Sequence, residues 1–150
     1  MRVAIDASML VALLNPTDTW HSQARVLRTE FAKINVEAIY FDCVVMEAVS
    51  AAARRLHEKG RFEDVEGMLG KLRKIAPRAQ ITWILPDAPR LFEEALMIIQ
   101  VSRGELNFND ALIALACREH QIDWIASFDS DFDRIDWLKR IDSAQSLPSA

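Results

Sequence analysis

The sequence predicts an α/β fold: a central, mostly parallel sheet of four to five strands held between two layers of helices. Short apolar runs of strand length alternate with segments of helical period along the chain, the pattern of doubly buried strands joined by helical crossovers. The chain has 150 residues and is 51% hydrophobic, enough for one packed core of ordinary domain size. No repeat, low-complexity stretch or linker interrupts it. We therefore expect one domain over 1–142 and a loose tail over 143–150, where the residues turn small and polar.

Val3-Ala4-Ile5 reads as a buried strand ending at Asp6. A short helix covers 8–14 and stops at Asn15-Pro16, because the residue before a proline is driven out of helical geometry. Asp18 can cap a second helix, in which Trp20, Ala24, Leu27, Phe31 and Ile34 recur near three- to four-residue spacing. A second strand covers 38–41. Asp42 can cap a third helix over 43–58, which Gly60 closes. The fourth helix spans 62–75, with Val65, Met68, Leu69 and Leu72 on one face. A third strand covers 81–85, bounded by Pro86. Helices over 87–101 and 107–119 follow, then strands over 124–126 and 138–141.

The formal charge is −4, from 22 acidic and 18 basic side chains. This composition excludes a disordered chain, a collagen-like chain and a disulfide scaffold, and argues against a uniformly basic nucleic-acid binder. Met1-Arg2 runs straight into the first strand, and no apolar run approaches the ~18–20 residues of a membrane span. The expected compartment is the cytoplasm. Cys43 and Cys117 lack CxxC or HxxxH company and are expected as reduced, packed thiols.

Four acids stand where such a fold gathers them. Asp6 follows the first strand, Glu47 lies in the early turns of the third helix, Asp110 in the first turn of the sixth, and Asp129 follows the fourth strand in Ser127-Phe128-Asp129, with Asp131 two residues on. In an open parallel sheet, strand carboxyl ends and the adjacent helix N-termini line one edge. Carboxylates crowded there repel one another unless compensated. A hard divalent cation compensates them, and Mg²⁺, which keeps several waters, needs only a few. One or two such ions can activate water and clamp a phosphodiester, which points to a metal-dependent phosphodiester hydrolase.

Each acid also has an ordinary structural explanation. Asp110 stands three residues after Asn107, the spacing of a capping arrangement. Asp129 can cap a short helix at 131–134, Glu47 can be a surface residue, and Asp6 can cap the first helix. The case for chemistry rests on all four sharing one edge.

With those residues in place, the chain resembles the PIN-domain ribonucleases, and among them the VapC-type toxins of toxin–antitoxin pairs. Val3-Ala4-Ile5-Asp6-Ala7-Ser8 resembles the family's first motif, Met46-Glu47-Ala48 the second, Asn109-Asp110-Ala111-Leu112 the third, and Ser127-Phe128-Asp129-Ser130-Asp131-Phe132 the fourth. The resemblance runs from residue 3 to about 141. It implies a PIN-like three-layer sandwich in which Asp6, Glu47, Asp110 and Asp129 hold Mg²⁺ or Mn²⁺ and carry catalysis, and Asp131 assists. Ser8 and Ser127 would orient ligands or water; ordinary strand-end and cap hydrogen bonding explains them equally well. Asn109 can reach a ligand or serve local turn chemistry. The nucleophile would be water. The resemblance further implies an RNA substrate, a small antitoxin partner and a homodimer.

Charge is unevenly spread. Residues 107–142 hold eight acids and four bases, whereas residues 54–78 hold eight bases and four acids. The basic segment, with Arg54, Arg55, Arg73 and Lys74, is either a solvated helical hairpin, a phosphate-tracking flank beside the acidic edge, or a face for an acidic partner. Trp20, Leu27, Phe31, Leu69 and Leu72 are candidates for a partner surface or for core. Two alternatives stay open beside the toxin: a nuclease of RNA processing or quality control, and a non-enzymatic α/β binding module. A phosphatase using Asp-x-Asp is disfavoured because Ser8 occupies the second Asp position.

Overall fold

The computed structural model describes residues 1–148. Its strands are β1 (Arg2–Ile5), β2 (Glu37–Phe41), β3 (Ile81–Thr82), β4 (Trp124–Ala126) and β5 (Lys139–Ile141), and its α-helices are α1 (Ala7–Leu14), α2 (His21–Lys33), α3 (Asp42–Glu58), α4 (Asp64–Ile75), α5 (Ala88–Val101) and α6 (Phe108–Glu119). Every strand pairing is parallel, in the order β3-β2-β1-β4-β5. The chain steps outward from β1 to β2 to β3, then returns to lay β4 on the other side of β1. With right-handed crossovers, this reversal puts α1–α4 on one face of the sheet and α5–α6 on the other. Packing agrees: α1 to α4 touch one another, and α5 packs on α6.

The central strands are apolar because both faces are covered: Val3, Ala4, Ile125 and Ala126 are fully buried. The short α1 is apolar almost all round, with only Ser8 half-buried, because the sheet, α2 and α3 surround it. α6 is similarly enclosed, and Asn107 starts it with a capping box in which the Asn107 side chain accepts from the Asp110 N–H and the Asp110 carboxylate accepts from the Asn107 N–H. Cys43 and Cys117 are buried free thiols, both pushed up to about 12 chiefly by burial. Of the residues considered for a partner surface, Leu27, Phe31 and Leu72 are core, Leu69 packs partly against it, and Trp20 is exposed.

The structure corrects three local readings. Asp42 does not cap α3 from outside; it is the buried first residue of that helix. Its carboxylate accepts from the N–H groups of Cys43 (2.9 Å), Ile84 (3.1 Å) and Leu85 (3.1 Å). Those bonds also shorten the third strand: the N–H groups of Ile84 and Leu85 turn to Asp42 rather than to a ladder, and Leu85–Asp87 forms a 3₁₀ turn. The segment from 143 is not loose where described. Ala144–Ser146 form a capped 3₁₀ turn resting on α2 and β5, and Leu147 packs against the core. Residues 149–150 lie outside the described residues. Among those described, no helix is long and apolar enough to cross a membrane.

Candidate functional site

The reversal of strand order lies between β1 and β4, so their carboxyl ends open a crevice, the usual ligand position in open α/β sheets. Asp6 and Ser127 are the first residues beyond those two strands. The Asp6 N–H continues the ladder to the Ala126 carbonyl at 3.0 Å, which fixes where its side chain emerges. Glu47 comes from the second turn of α3, Asp110 from the first turn of α6, and Asp129 from the N-cap of the 3₁₀ turn Ser130–Arg134. All four line one cleft of about 330 Å³, together with Ser8, Asp18, Trp20, Arg55 and Asn107. Asp131 does not line it; its N–H donates to Asp129 Oδ1 at 2.9 Å.

Asp6 is buried yet well provided for. Its Oδ2 accepts from Ser8 Oγ (2.6 Å), Ser127 Oγ (2.8 Å) and the Ser8 N–H (3.2 Å). Ser8 Oγ in turn accepts from the Phe128 N–H at 3.0 Å, and Ser127 Oγ from the Asp129 N–H at 3.0 Å. The two serines thus tie the loop after β4 to the carboxylate after β1, and leave the other oxygen of Asp6 without a protein donor among the described residues.

Electrostatics show the acids sensing one another. Burial pushes the Asp110 carboxyl up to about 6, helped by the charges of Asp6, Asp129 and Glu47 and opposed by the Asn107 backbone bond. Burial and Asp6 raise Glu47 as well, while a hydrogen bond from Asn109 pulls it down. Burial, Asp129 and Glu105 raise Asp131. No ion pair among the described residues reaches Asp6, Glu47, Asp110 or Asp129; the one cation on the cleft wall, Arg55, is held by Asp18. Four carboxylates line one cleft and none of them is ion-paired among the described residues, a donor set of hard oxygens that suits Mg²⁺ or Mn²⁺. Among the described residues, no three His, Cys, Asp or Glu side chains stand close enough together to hold a metal ion. An open oxygen-lined cleft matches an ion that keeps part of its water shell.

Of the basic residues singled out in the sequence, Arg55 lines this cleft and Lys74 lines a groove between α2 and α4, while Arg54 and Arg73 are exposed and line neither. That groove presents Arg25, Arg28, Lys71 and Lys74 and no carboxylate. A smaller cavity holding Arg55, Lys59, Arg61 and Lys71 bridges the two spaces: it shares Arg55 with the cleft and Lys71 with the groove. The basic segment 54–78 was visible in the sequence, but not the part that α2 takes in the groove through Arg25 and Arg28. Asp18 does bond the Trp20 N–H as a local cap would, but its link to Arg55 and the stacking of Trp20 on Phe128 arise only on folding.

Comparison with known proteins follows the same lines. The sequence model described as "PIN domain" matches residues 3–138. The crystal structure of VapC20 from Mycobacterium tuberculosis, described as a sarcin-ricin loop cleaving toxin, has a similar fold, with a TM-score of 0.65 at 20% identity over 87% of this chain and 92% of that one. No curated protein sequence matches significantly.

Proposed function

The chain belongs to the PIN-domain family, and on that premise we propose that it is a divalent-metal-dependent endoribonuclease and the toxin of a toxin–antitoxin pair. One observation carries the reading: four carboxylates from four separate elements line the crevice where the strand order reverses, and none of them is ion-paired among the described residues. Asp6, Glu47, Asp110 and Asp129 are the proposed ligands of Mg²⁺ or Mn²⁺, with Asp131 assisting. When bound, such an ion supplies water that is nucleophilic near neutral pH and offsets the charge on a phosphodiester. The protein's own side chains do the remainder. Ser8 and Ser127 hold Asp6 in one orientation. Asn107 fixes Asp110 through the capping box. Arg55 offers a cation to an incoming phosphate, and the basic groove beyond it supports a polyanionic substrate.

Cytoplasmic action and pairing with a small antitoxin are proposed from the resemblance to VapC toxins. Association of copies is supported by α5, where Phe92, Leu96, Met97 and Val101 expose apolar surface along one helix.

Controlled expression in a bacterial host tests the toxin role. Growth arrest by the wild type, relieved by Asp6→Asn, is expected. Unimpaired growth by a protein that still cleaves RNA would assign it to RNA processing instead. Calorimetry with Mn²⁺ tests the ligands: equal binding by wild type and Asp110→Ala contradicts the assignment.

A further inference from the structure

We propose that the stacked Trp20–Phe128 pair beside the acidic cleft is a platform for one nucleobase of the substrate, which rests on the ribonuclease reading above and adds a recognition element to it. The two rings lie 5.0 Å apart between centroids and 9° from parallel. Trp20 lines the same cleft as Asp6, Asp110 and Asp129, and 43% of it is exposed, so Phe128 covers only part of the indole. A large aromatic left open beside a charged cleft adds little to the core, and a π-face is the surface on which a base stacks whatever its identity.

The backbone is held at both residues of the pair. The Trp20 N–H donates to Asp18 Oδ1 at 2.9 Å, and the other oxygen of that carboxylate holds Arg55. The Phe128 N–H donates to Ser8 Oγ, the same atom that donates to Asp6 Oδ2. The Trp20 backbone is therefore tied through Asp18 to the cation of the cleft wall, and the Phe128 backbone through Ser8 to the carboxylate network. A base stacked on Trp20 would lie beside both, with its phosphate directed toward Arg55. An open π-face with Arg55 on the same cleft wall for the adjoining phosphate favours a base as the occupant.

Steady-state cleavage of RNA in Mg²⁺ by wild type, Trp20→Phe, Trp20→Ala and Trp20→Leu tests the proposal. Stopped-flow quenching of the Trp20 signal, taken as wild type minus Trp20→Phe, accompanies it. Trp20→Ala is expected to raise KM by about 5- to 150-fold, the usual worth of one base–aromatic stack, with Trp20→Phe recovering most of the loss. Oligo(A) of about 12 nucleotides is expected to quench Trp20, whereas inorganic polyphosphate of matched charge does not. Trp20→Leu keeps an apolar cover on Phe128 without a π-face. Its rescue of the Ala variant would show a structural role and overturn the platform. Equal quenching by polyphosphate, or wild-type KM in Trp20→Ala, would also overturn it while the ribonuclease reading stands. No RNA cleavage by the wild type would remove both.

Discussion

Asp110 is where the site's electrostatics are concentrated. It is tied into the start of α6, partly buried, and faces three other acids, which together place its pKa at about 6. The folded protein therefore holds this proton more tightly than an unfolded chain, whose Asp titrates near 3.9. Native protein binds more protons than unfolded between those values, so metal-free stability falls as pH rises from about 4 through 6. Thermal melts in EDTA should show Tm declining across that window, with Asp110→Asn, which keeps an acceptor for the capping box, declining less. Added Mn²⁺ should raise Tm near neutral pH for the wild type and less for the variant. An identical pH profile in both proteins would contradict this. Ser127 acts one bond further out. Ser127→Ala removes a donor to buried Asp6 and the acceptor of the Asp129 N–H. Weakening of Mn²⁺ affinity by about 10- to 100-fold is expected, as for other residues that orient ligands. Unchanged affinity in calorimetry would reduce Ser127 to local turn chemistry.

Among the elements, the clearest departure from the sequence pattern is around β3. The apolar run over 81–85 has the length and composition of a strand, yet only Ile81–Thr82 pair. The reason is the Asp42 carboxylate, which captures two backbone N–H groups more than forty residues downstream. No local rule exposes such a bond. Asp42→Ala would leave three N–H groups, two of them in buried bonds, without their acceptor, so urea unfolding should show a loss of about 3 kcal/mol, with Asp42→Asn losing less. A loss below about 1 kcal/mol would mean water replaces the carboxylate. By contrast, the start of α6 was legible, because Asn107 and Asp110 are neighbours in sequence and the capping box is local. The strand ends were legible for the same reason: Asp6, Ser127 and Asp129 directly follow apolar runs. What stayed hidden was the Arg55–Asp18–Trp20 wall, because a loop's approach to a helix is decided by tertiary packing.

At the scale of the whole molecule, topology explains why acids more than a hundred residues apart share one cleft. Reversing the strand order at β1 opens the crevice, and each of the four elements contributes one carboxylate to it. Acids line this edge, while α3, α4 and α2 carry basic residues from Arg55 through Lys71 to Arg28, with Asp64 beside them. RNA binding should accordingly weaken with salt. Arg28→Glu with Lys71→Glu should reduce affinity and flatten the salt slope by about 0.7 for each phosphate no longer neutralised, measured by filter binding; an unchanged slope would place the RNA elsewhere. Light scattering should report a dimer that Met97→Glu with Val101→Glu dissociates, and a wild-type monomer would contradict the assignment of α5. The central claim is that the four carboxylates form one metal-dependent RNA-cleaving centre. Its most direct test is cleavage of total RNA by the purified protein in Mg²⁺, in EDTA, and with Asp110→Ala in Mg²⁺. Discrete cleavage only by the wild type with Mg²⁺ is the predicted result. Equal cleavage in EDTA, or by a folded Asp110→Ala protein, would contradict the account.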